Sequence, residues 1–358
     1  MTPLARILAA RIAAAGPVPV AEYMAECLLH PEHGYYTTQR PFGREGDFTT
    51  APEISQMFGE MLGLALAQAW LDRGSPAPFC LAEPGPGRGT LMADLWRATA
   101  GVPGFHQAAR LTLVEASPAL RRVQAATLDG TGAMWCDRVE DLPDLPLFLV
   151  ANEFFDALPV RQFTRDACGW REVQVGLDGD RLAFGLAPPV PVAALAHRLA
   201  DTRPGDVVEL CPALPGIVTA IAERIARRGG AAIVVDYGGW HSLGDTLQAV
   251  RDHRPVPPLE HPGLADLTAH VDFEAIARAA TAAGCAVSAM VPQGVVLERL
   301  GITARAQALA RGLTGPALDA HVAAHRRLTH PEEMGTLFQT IVISSKGSAP
   351  VPGLHPWP

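Results

Sequence analysis

The sequence of 358 residues nearly lacks lysine: of 29 lysines and arginines, only Lys346 is lysine. We read this bias as the codon usage of a GC-rich genome. An excess of positive charge is missing as well. The formal net charge is −8 at pH 7, which excludes a nucleic-acid binder held by a global basic field. No C-x-x-C pair occurs among Cys27, Cys80, Cys136, Cys168, Cys211 and Cys285, and no H-E-x-x-H among the twelve histidines. A disulfide framework and a zinc site are therefore not expected, and reduced thiols in a cytoplasmic protein fit best. Long apolar runs are absent: Leu147 to Ala151 and Ala231 to Val235 are strand-sized, so no membrane insertion is expected. The N-terminus carries Arg6 and Arg11 with no acid before Glu22. Two readings fit, an arginine-rich transit peptide or an amphipathic helix with Leu4, Ile7, Leu8 and Ile12 on one face. What the chain does have is 48% hydrophobic and only 18% charged residues, enough to bury a large core.

The first 75 residues read as helical, with helices over Ile7 to Ala14, Val20 to Leu29 and Ile54 to Asp72, the last opened by Pro52-Glu53. Between them, Pro31 to Pro52 is rich in Gly, Thr and Tyr and fits no regular period. From Phe79 strands and helices alternate: strands at Phe79 to Glu83, Leu111 to Glu115, Ala133 to Cys136 and Leu147 to Ala151, helices at Thr90 to Ala98 and Pro118 to Leu128. This is the sequence form of βαβ units on a parallel sheet. Val160 to Phe184 reads as antiparallel strands with a turn at Asp178-Gly179. Ala213 to Arg227 reads as a helix and Ala231 to Asp236 as a buried strand, while Gly238 to His270, with four prolines and several glycines, reads as mobile. A helix over Phe273 to Ala283, a strand, two helices to about Leu328 and a last strand over Phe338 to Ser344 complete the fold. The division expected is a helical region over 1–75, an α/β domain over 76–346 with insertions at about 160–210 and 238–272, and a disordered tail over 347–358.

Residues 79–90 read F-C-L-A-E-P-G-P-G-R-G-T. A strand ends in Glu83, then Gly85, Gly87 and Gly89 alternate with other residues before a helix begins. Glycines let the backbone turn sharply and approach a ligand, and the helix start adds free N–H donors. A phosphate-binding P-loop needs Gly-Lys-Ser/Thr, but residues 89–91 are Gly, Thr and Leu. A dinucleotide G-x-G-x-x-G counted from Gly85 has Thr90 in its last slot. The pattern E-x-G-x-G-x-G matches at every position and resembles motif I of class I S-adenosylmethionine methyltransferases. Glu115 at the tip of the next strand could accept two ribose hydroxyls, or serve only as a charge before the helix at Pro118. Asp137, after the third strand, could accept from an adenine amino group, or be a solvent-facing loop acid.

Longer stretches carry a specific resemblance. They are Gly46-Asp47-Phe48-Thr49-Thr50-Ala51-Pro52-Glu53-Ile54-Ser55-Gln56, the Glu83 to Thr90 loop, Ala151-Asn152-Glu153-Phe154-Phe155-Asp156-Ala157-Leu158-Pro159-Val160, Val235-Asp236-Tyr237-Gly238, Gly244-Asp245-Thr246-Leu247 and Asp266-Leu267-Thr268-Ala269-His270-Val271-Asp272-Phe273. Over about residues 15–345 the sequence resembles the MidA family of class I methyltransferases. Pro84 and Ala51 depart from the residues common in that family, a leucine-like residue and serine.

The resemblance implies a Rossmann-like α/β methyltransferase sheet with a helical N-terminal region and inserted substrate-side segments. It implies S-adenosyl-L-methionine as cofactor, S-adenosyl-L-homocysteine as product, and arginine N-methylation of a protein, extrapolated to a subunit of respiratory complex I. The location implied is the bacterial cytoplasm, the mitochondrial matrix being its eukaryotic equivalent. Asp47, Glu53, Gln56, Glu83, Gly85, Gly87, Gly89, Glu115, Asp137 and Asn152 are the expected cofactor residues, with residues 40–56 as a cover over the cofactor. Glu153 and Asp156 are the expected guanidinium-binding carboxylates, with Phe154 or Phe155 to stack on the acceptor. His270 would take its proton. Plainer readings stay open: Asp156 as a turn residue, Asp272 as a helix cap, Tyr237 as packing. Two other functions stay open as well, a non-catalytic cofactor-binding assembly factor and a small-molecule methyltransferase.

Overall fold

The structure, a computed structural model, describes residues 1–38 and 50–354. Asp47 and residues 40–49 of the expected cover lie outside them. The chain divides into two compact units. This division cuts across the expected one, because each unit is assembled from three separate stretches of sequence.

One unit comprises 49–154, 215–240 and 272–358. Its sheet contains β1 (Phe79–Pro84), β2 (Ala109–Val114), β3 (Met134–Cys136), β4 (Leu147–Asn152), β5 (Gly230–Gly239), β6 (Cys285–Val287) and β7 (Phe338–Ser345), in the spatial order β3-β2-β1-β4-β5-β7-β6. Neighbouring strands from β3 to β5 pair in parallel, whereas β7 runs antiparallel to both β5 and β6. Every residue of β1 and β4 is buried, as expected of parallel strands covered on both faces. Its parallel part is the sheet that the alternation of elements predicts, and the whole has the Rossmann-like α/β form that the resemblance implies.

The helix expected from Ile54 begins later. Ser55, in extended conformation, caps α1 (Gln56–Asp72) by accepting from the Met57 N–H, and a separate turn spans Ala51–Ile54. Glu60 of α1, 3% exposed in its side chain, accepts from Arg97 Nη1 at 2.7 Å and from Arg305 Nε and Nη2 at 2.7 and 2.9 Å. These bonds lock α1 to α2 (Thr90–Thr99) and to the helix Ile302–Ala310. Where two helices to about Leu328 are expected there are three, Gln293–Arg299, Ile302–Ala310 and Gly315–Thr329, and a short fourth, Met334–Leu337, leads into β7. The expected disorder from 347 does not hold for the described part of the tail. Arg73 donates to Ser348 Oγ and the Ala349 carbonyl, and Val351 and Leu354 are buried.

The other unit comprises 1–48, 155–214 and 241–271. Helix Pro3–Ala15, capped by Thr2, buries Leu4, Leu8 and Ile12, but Ile7 is exposed, so the apolar stripe is narrower than expected. Strands Arg161–Asp166, Gly169–Asp178 and Arg181–Leu186 form the expected meander with its turn at Asp178-Gly179, and Val207–Leu210 extends it. The segment expected to be mobile instead folds into a three-stranded sheet, Gln248–Arg251, Arg254–Val256 and Asp266–Thr268. Asp252 and His253 turn the hairpin in the left-handed region, and Pro255 lies on an edge strand, where its missing N–H costs no ladder bond. All six cysteines are free thiols. Among the described residues no helix is long and apolar enough to cross a membrane.

Candidate cofactor and active site

The glycine loop leaves β1 at Glu83-Pro84. Gly85 has φ +61°, and a Cβ there would stand 2.9 Å from Phe154 Cδ2, so only glycine admits the ring so close. Gly89, at φ +82°, caps α2 without a side chain. Glu83 compensates: buried beneath the loop, it accepts from the Met92 N–H in the first turn of α2, while burial pushes its pKa up to about 8. Its Oε2 has no partner among the described residues, and neither has Asn152 Oδ1 at the end of adjacent β4. Two buried acceptors without donors are uncommon in a folded protein. They fit a ligand that carries N–H donors, as the amino-acid end of S-adenosyl-L-methionine does.

Glu115 follows β2. Its Oε1 accepts from the Ser117 N–H at 2.7 Å and its Oε2 from Gln124 Nε2 at 3.1 Å. Burial raises its pKa while these donors and Arg121 pull it back. Each oxygen keeps a lone pair for a ribose hydroxyl. The Asp137 side chain is 73% exposed and pairs with Arg121 at 2.6 Å. Glu53 lies against the far side of the loop, accepting from Thr90 Oγ1 at 2.6 Å, with Arg88 Nη1 4.0 Å away. Gln56 points elsewhere, donating to Glu60 of its own helix at 3.2 Å.

One residue of this site had not been foreseen. Gln124, fully buried on α3 (Pro118–Thr127), donates to the Gly87 carbonyl at 2.8 Å and to Glu115, and accepts from Trp135 Nε1 at 2.8 Å. It ties the glycine loop, the end of β2 and β3 together. A lone glutamine on a helix carries no motif; its only signal is that it shares the inner face of α3 with Leu128.

Glu153 closes β4 with φ +48°, a left-handed conformation uncommon outside glycine. Its Oε1 accepts from Asn152 Nδ2 and from the Ala51 N–H, each at 3.1 Å. The Phe154 N–H donates to Asp236 Oδ2 at 3.2 Å, and Asp236 Oδ1 takes the Tyr237 N–H at 3.0 Å. Asp236 therefore holds the turn after β4. Tyr237 packs its ring against Phe338, with centroids 5.5 Å apart. Glu83, Gly85, Gly87, Gly89, Glu115, Asn152 and Glu153 thus gather at the carboxyl edge of one sheet, where open α/β sheets bind ligands.

Asp156 and His270 belong to the other unit. Asp156 is buried there near Tyr36, whose hydroxyl donates to Asp266 at 2.9 Å. Burial, then the charges of Asp266 and Asp156, raise the pKa of that hydroxyl. The Asp156 carbonyl accepts the Ala269 N–H at 3.0 Å. The next N–H, that of His270, donates to Thr246 Oγ1 at 2.8 Å. Partial desolvation lowers the pKa of His270, which favours the neutral ring. Asp272 accepts from the Ala275 N–H as the cap of helix Phe273–Ala282.

Residues 61–291 match the profile of a family described as S-adenosyl-L-methionine-dependent methyltransferase. The mitochondrial protein arginine methyltransferase NDUFAF7 homolog of Drosophila melanogaster is 38% identical over 95% of this chain and 84% of its own length. The mitochondrial protein arginine methyltransferase NDUFAF7 of Homo sapiens is 36% identical over 94% of this chain and 82% of its own. A Burkholderia thailandensis structure, solved with S-adenosyl-homocysteine bound, superposes with a TM-score of 0.84 at 32% identity, covering 98% of this chain and 93% of that one.

Proposed function

The chain belongs to the MidA-like family of S-adenosyl-L-methionine-dependent methyltransferases, and from that premise we propose that it methylates an arginine side chain of a protein. The relatives that carry that activity in their names support the reading. The observation that carries it is Glu153. A non-glycine residue held in the left-handed region at the carboxyl edge of the sheet, with its carboxylate oriented by Asn152 and Ala51, has the character of a functional site.

The cofactor supplies a methyl group on a sulfonium, already electrophilic. The residues left to the protein are those that bind and orient. Glu83 and Asn152 hold the amino-acid end, Glu115 the ribose, and the glycine loop the space between. Arginine is a poor nucleophile because its charge is delocalised over three nitrogens. Glu153 and Asp156 are assigned to the guanidinium: a carboxylate bonded to two nitrogens favours positive charge there and leaves electron density on the third. His270 takes the proton that the methylated nitrogen loses. Its lowered pKa places the acid limb of the rate profile below pH 6.5, the ordinary imidazole value. Phe154 lies against Gly85 of the loop.

We extend the resemblance to a subunit of respiratory complex I as the acceptor, and to the bacterial cytoplasm as the place of reaction. The experiment is transfer of label from S-adenosyl-L-methionine to the proteins of a lysate, followed by peptide mapping. Labelled arginine is the expected product; label confined to small molecules would refute the reading. Glu153→Gln and Asp156→Asn keep shape and remove charge. Each is expected to slow transfer at least about tenfold, roughly 1.4 kcal/mol of barrier, with cofactor affinity nearly intact.

A further inference from the structure

Glu209 is a buried carboxylate that the chemistry above does not use. It sits on the strand Val207–Leu210 and is 3% exposed. Its Oε1 accepts from Gln162 Nε2 at 2.8 Å and from the Thr246 N–H at 3.0 Å, and its Oε2 accepts from the Thr246 hydroxyl. The Glu209 N–H donates to Ser242 Oγ, and the Gly244 N–H donates to the Val207 carbonyl, each at 2.8 Å. Arg198 Nη1 holds the Ser242 carbonyl at 2.8 Å, and Gln162 also reaches Asp245 Oδ1 at 2.7 Å. The loop 242–246 is therefore fastened along its length to one strand.

Thr246 passes that constraint on. Its Oγ1 accepts the His270 N–H at 2.8 Å. A hydroxyl has a single proton to give. Burial raises the pKa of Glu209, while the Gln162 and Thr246 donors favour its ionised form; in that form it can only accept, so it draws the Thr246 proton to itself and leaves the hydroxyl's lone pairs for His270. The direction of the chain, from His270 N–H to Thr246 to Glu209, is set by the carboxylate. Neighbouring Ala269 is bonded to Asp156, so one short backbone segment is held at both of its N–H groups.

We propose that Glu209 is a positioning residue for methyl transfer: acting through Thr246, it fixes the backbone at His270 and so aims the imidazole that takes the acceptor's proton. The proposal rests on the role assigned to His270 above. Neither Glu209 nor Thr246 needs to touch cofactor or acceptor for this.

The test uses the full chain with Thr246→Val, which keeps shape and loses the hydroxyl, Thr246→Ser, which keeps the hydroxyl, and Glu209→Gln, which cannot accept on both atoms. Two readouts are taken: amide hydrogen exchange at His270, and label transfer from S-adenosyl-L-methionine to lysate proteins with the KM for that cofactor. In Thr246→Val and Glu209→Gln, His270 exchange is expected to quicken about tenfold or more and the saturated rate to fall about tenfold, at unchanged KM. Thr246→Ser should return both to within about twofold of wild type. Wild-type exchange and rate in Thr246→Val would overturn the proposal even if Glu209→Gln fails to fold. His270→Ala, assayed in parallel, separates the two ideas. A slow His270→Ala beside a wild-type Thr246→Val sinks the positioning role alone, and a wild-type His270→Ala sinks both.

Discussion

Gln124→Leu probes the cofactor site without replacing any residue assigned to the ligand itself. Leucine occupies a similar volume on α3, so packing changes little. The substitution deletes three hydrogen bonds and strands three groups: the Gly87 carbonyl, Glu115 Oε2 and Trp135 Nε1. A polar group left unpaired in a buried setting costs about 1–3 kcal/mol. The Gly87 carbonyl and Trp135 are only partly buried, so the lower end applies to them, and the sum comes to about 3 kcal/mol. Most of it weakens the fold and lowers the melting temperature. Glu115 keeps the Ser117 N–H but loses the donor that sets the orientation of its other oxygen. We expect S-adenosyl-L-homocysteine to bind about tenfold more weakly, roughly 1.4 kcal/mol. Titration calorimetry and thermal melting measure the two effects separately. If Gln124→Leu binds with wild-type affinity, the glutamine bridge does not shape the site, and the inference from its three contacts is wrong.

Gly85→Val would place Cβ against Phe154 Cδ2 and force a β-branched residue to positive φ; cofactor binding by calorimetry should fall below detection, and retained binding would contradict the geometry of the loop. Glu83, with a pKa of about 8, keeps in the fold a proton that the unfolded chain loses near its ordinary value of 4.5. Its contribution to stability is therefore full below about pH 4.5 and declines as pH rises towards 8; at about 1.4 kcal/mol per pH unit the loss is of order several kcal/mol. Chemical denaturation from pH 5 to 8 should show that decline in the wild type and a flatter profile in Glu83→Gln. For Glu60, burial pushes the pKa up, but the guanidiniums of Arg305 and Arg97 outweigh it and leave it below the ordinary carboxyl value. Its stabilising effect is thus present above that value and lost as pH falls through the folded-state pKa. Because both arginines are more than a third exposed, Glu60→Gln should cost about 1–2 kcal/mol, seen as a lower melting temperature at pH 7 whose difference from wild type shrinks in acid.

Much of the cofactor half of the site is legible in the chain itself. The strand, glycine loop and helix from Phe79 to Thr99 are contiguous, and each residue's task there is local: turn, cap, or leave room. The alternation that follows predicts a parallel sheet because buried strands and amphipathic helices carry their periods within single elements, and Asp178-Gly179 announces its hairpin by the same local rule. What the tertiary structure alone decides is the choice of partner. Asp137 pairs with Arg121, Gln124 turns inward to Gly87 and Glu115, and Glu209 finds Gln162 and Thr246 across 47 and 37 residues of chain. A polar side chain has the same composition whether water or a buried donor satisfies it, so no pattern along the sequence separates the two outcomes. The prolines of 238–270 misled for the same reason. Whether a proline breaks a strand or sits harmlessly on its edge depends on which side of the ladder is unpaired, and that is settled only when neighbouring strands arrive.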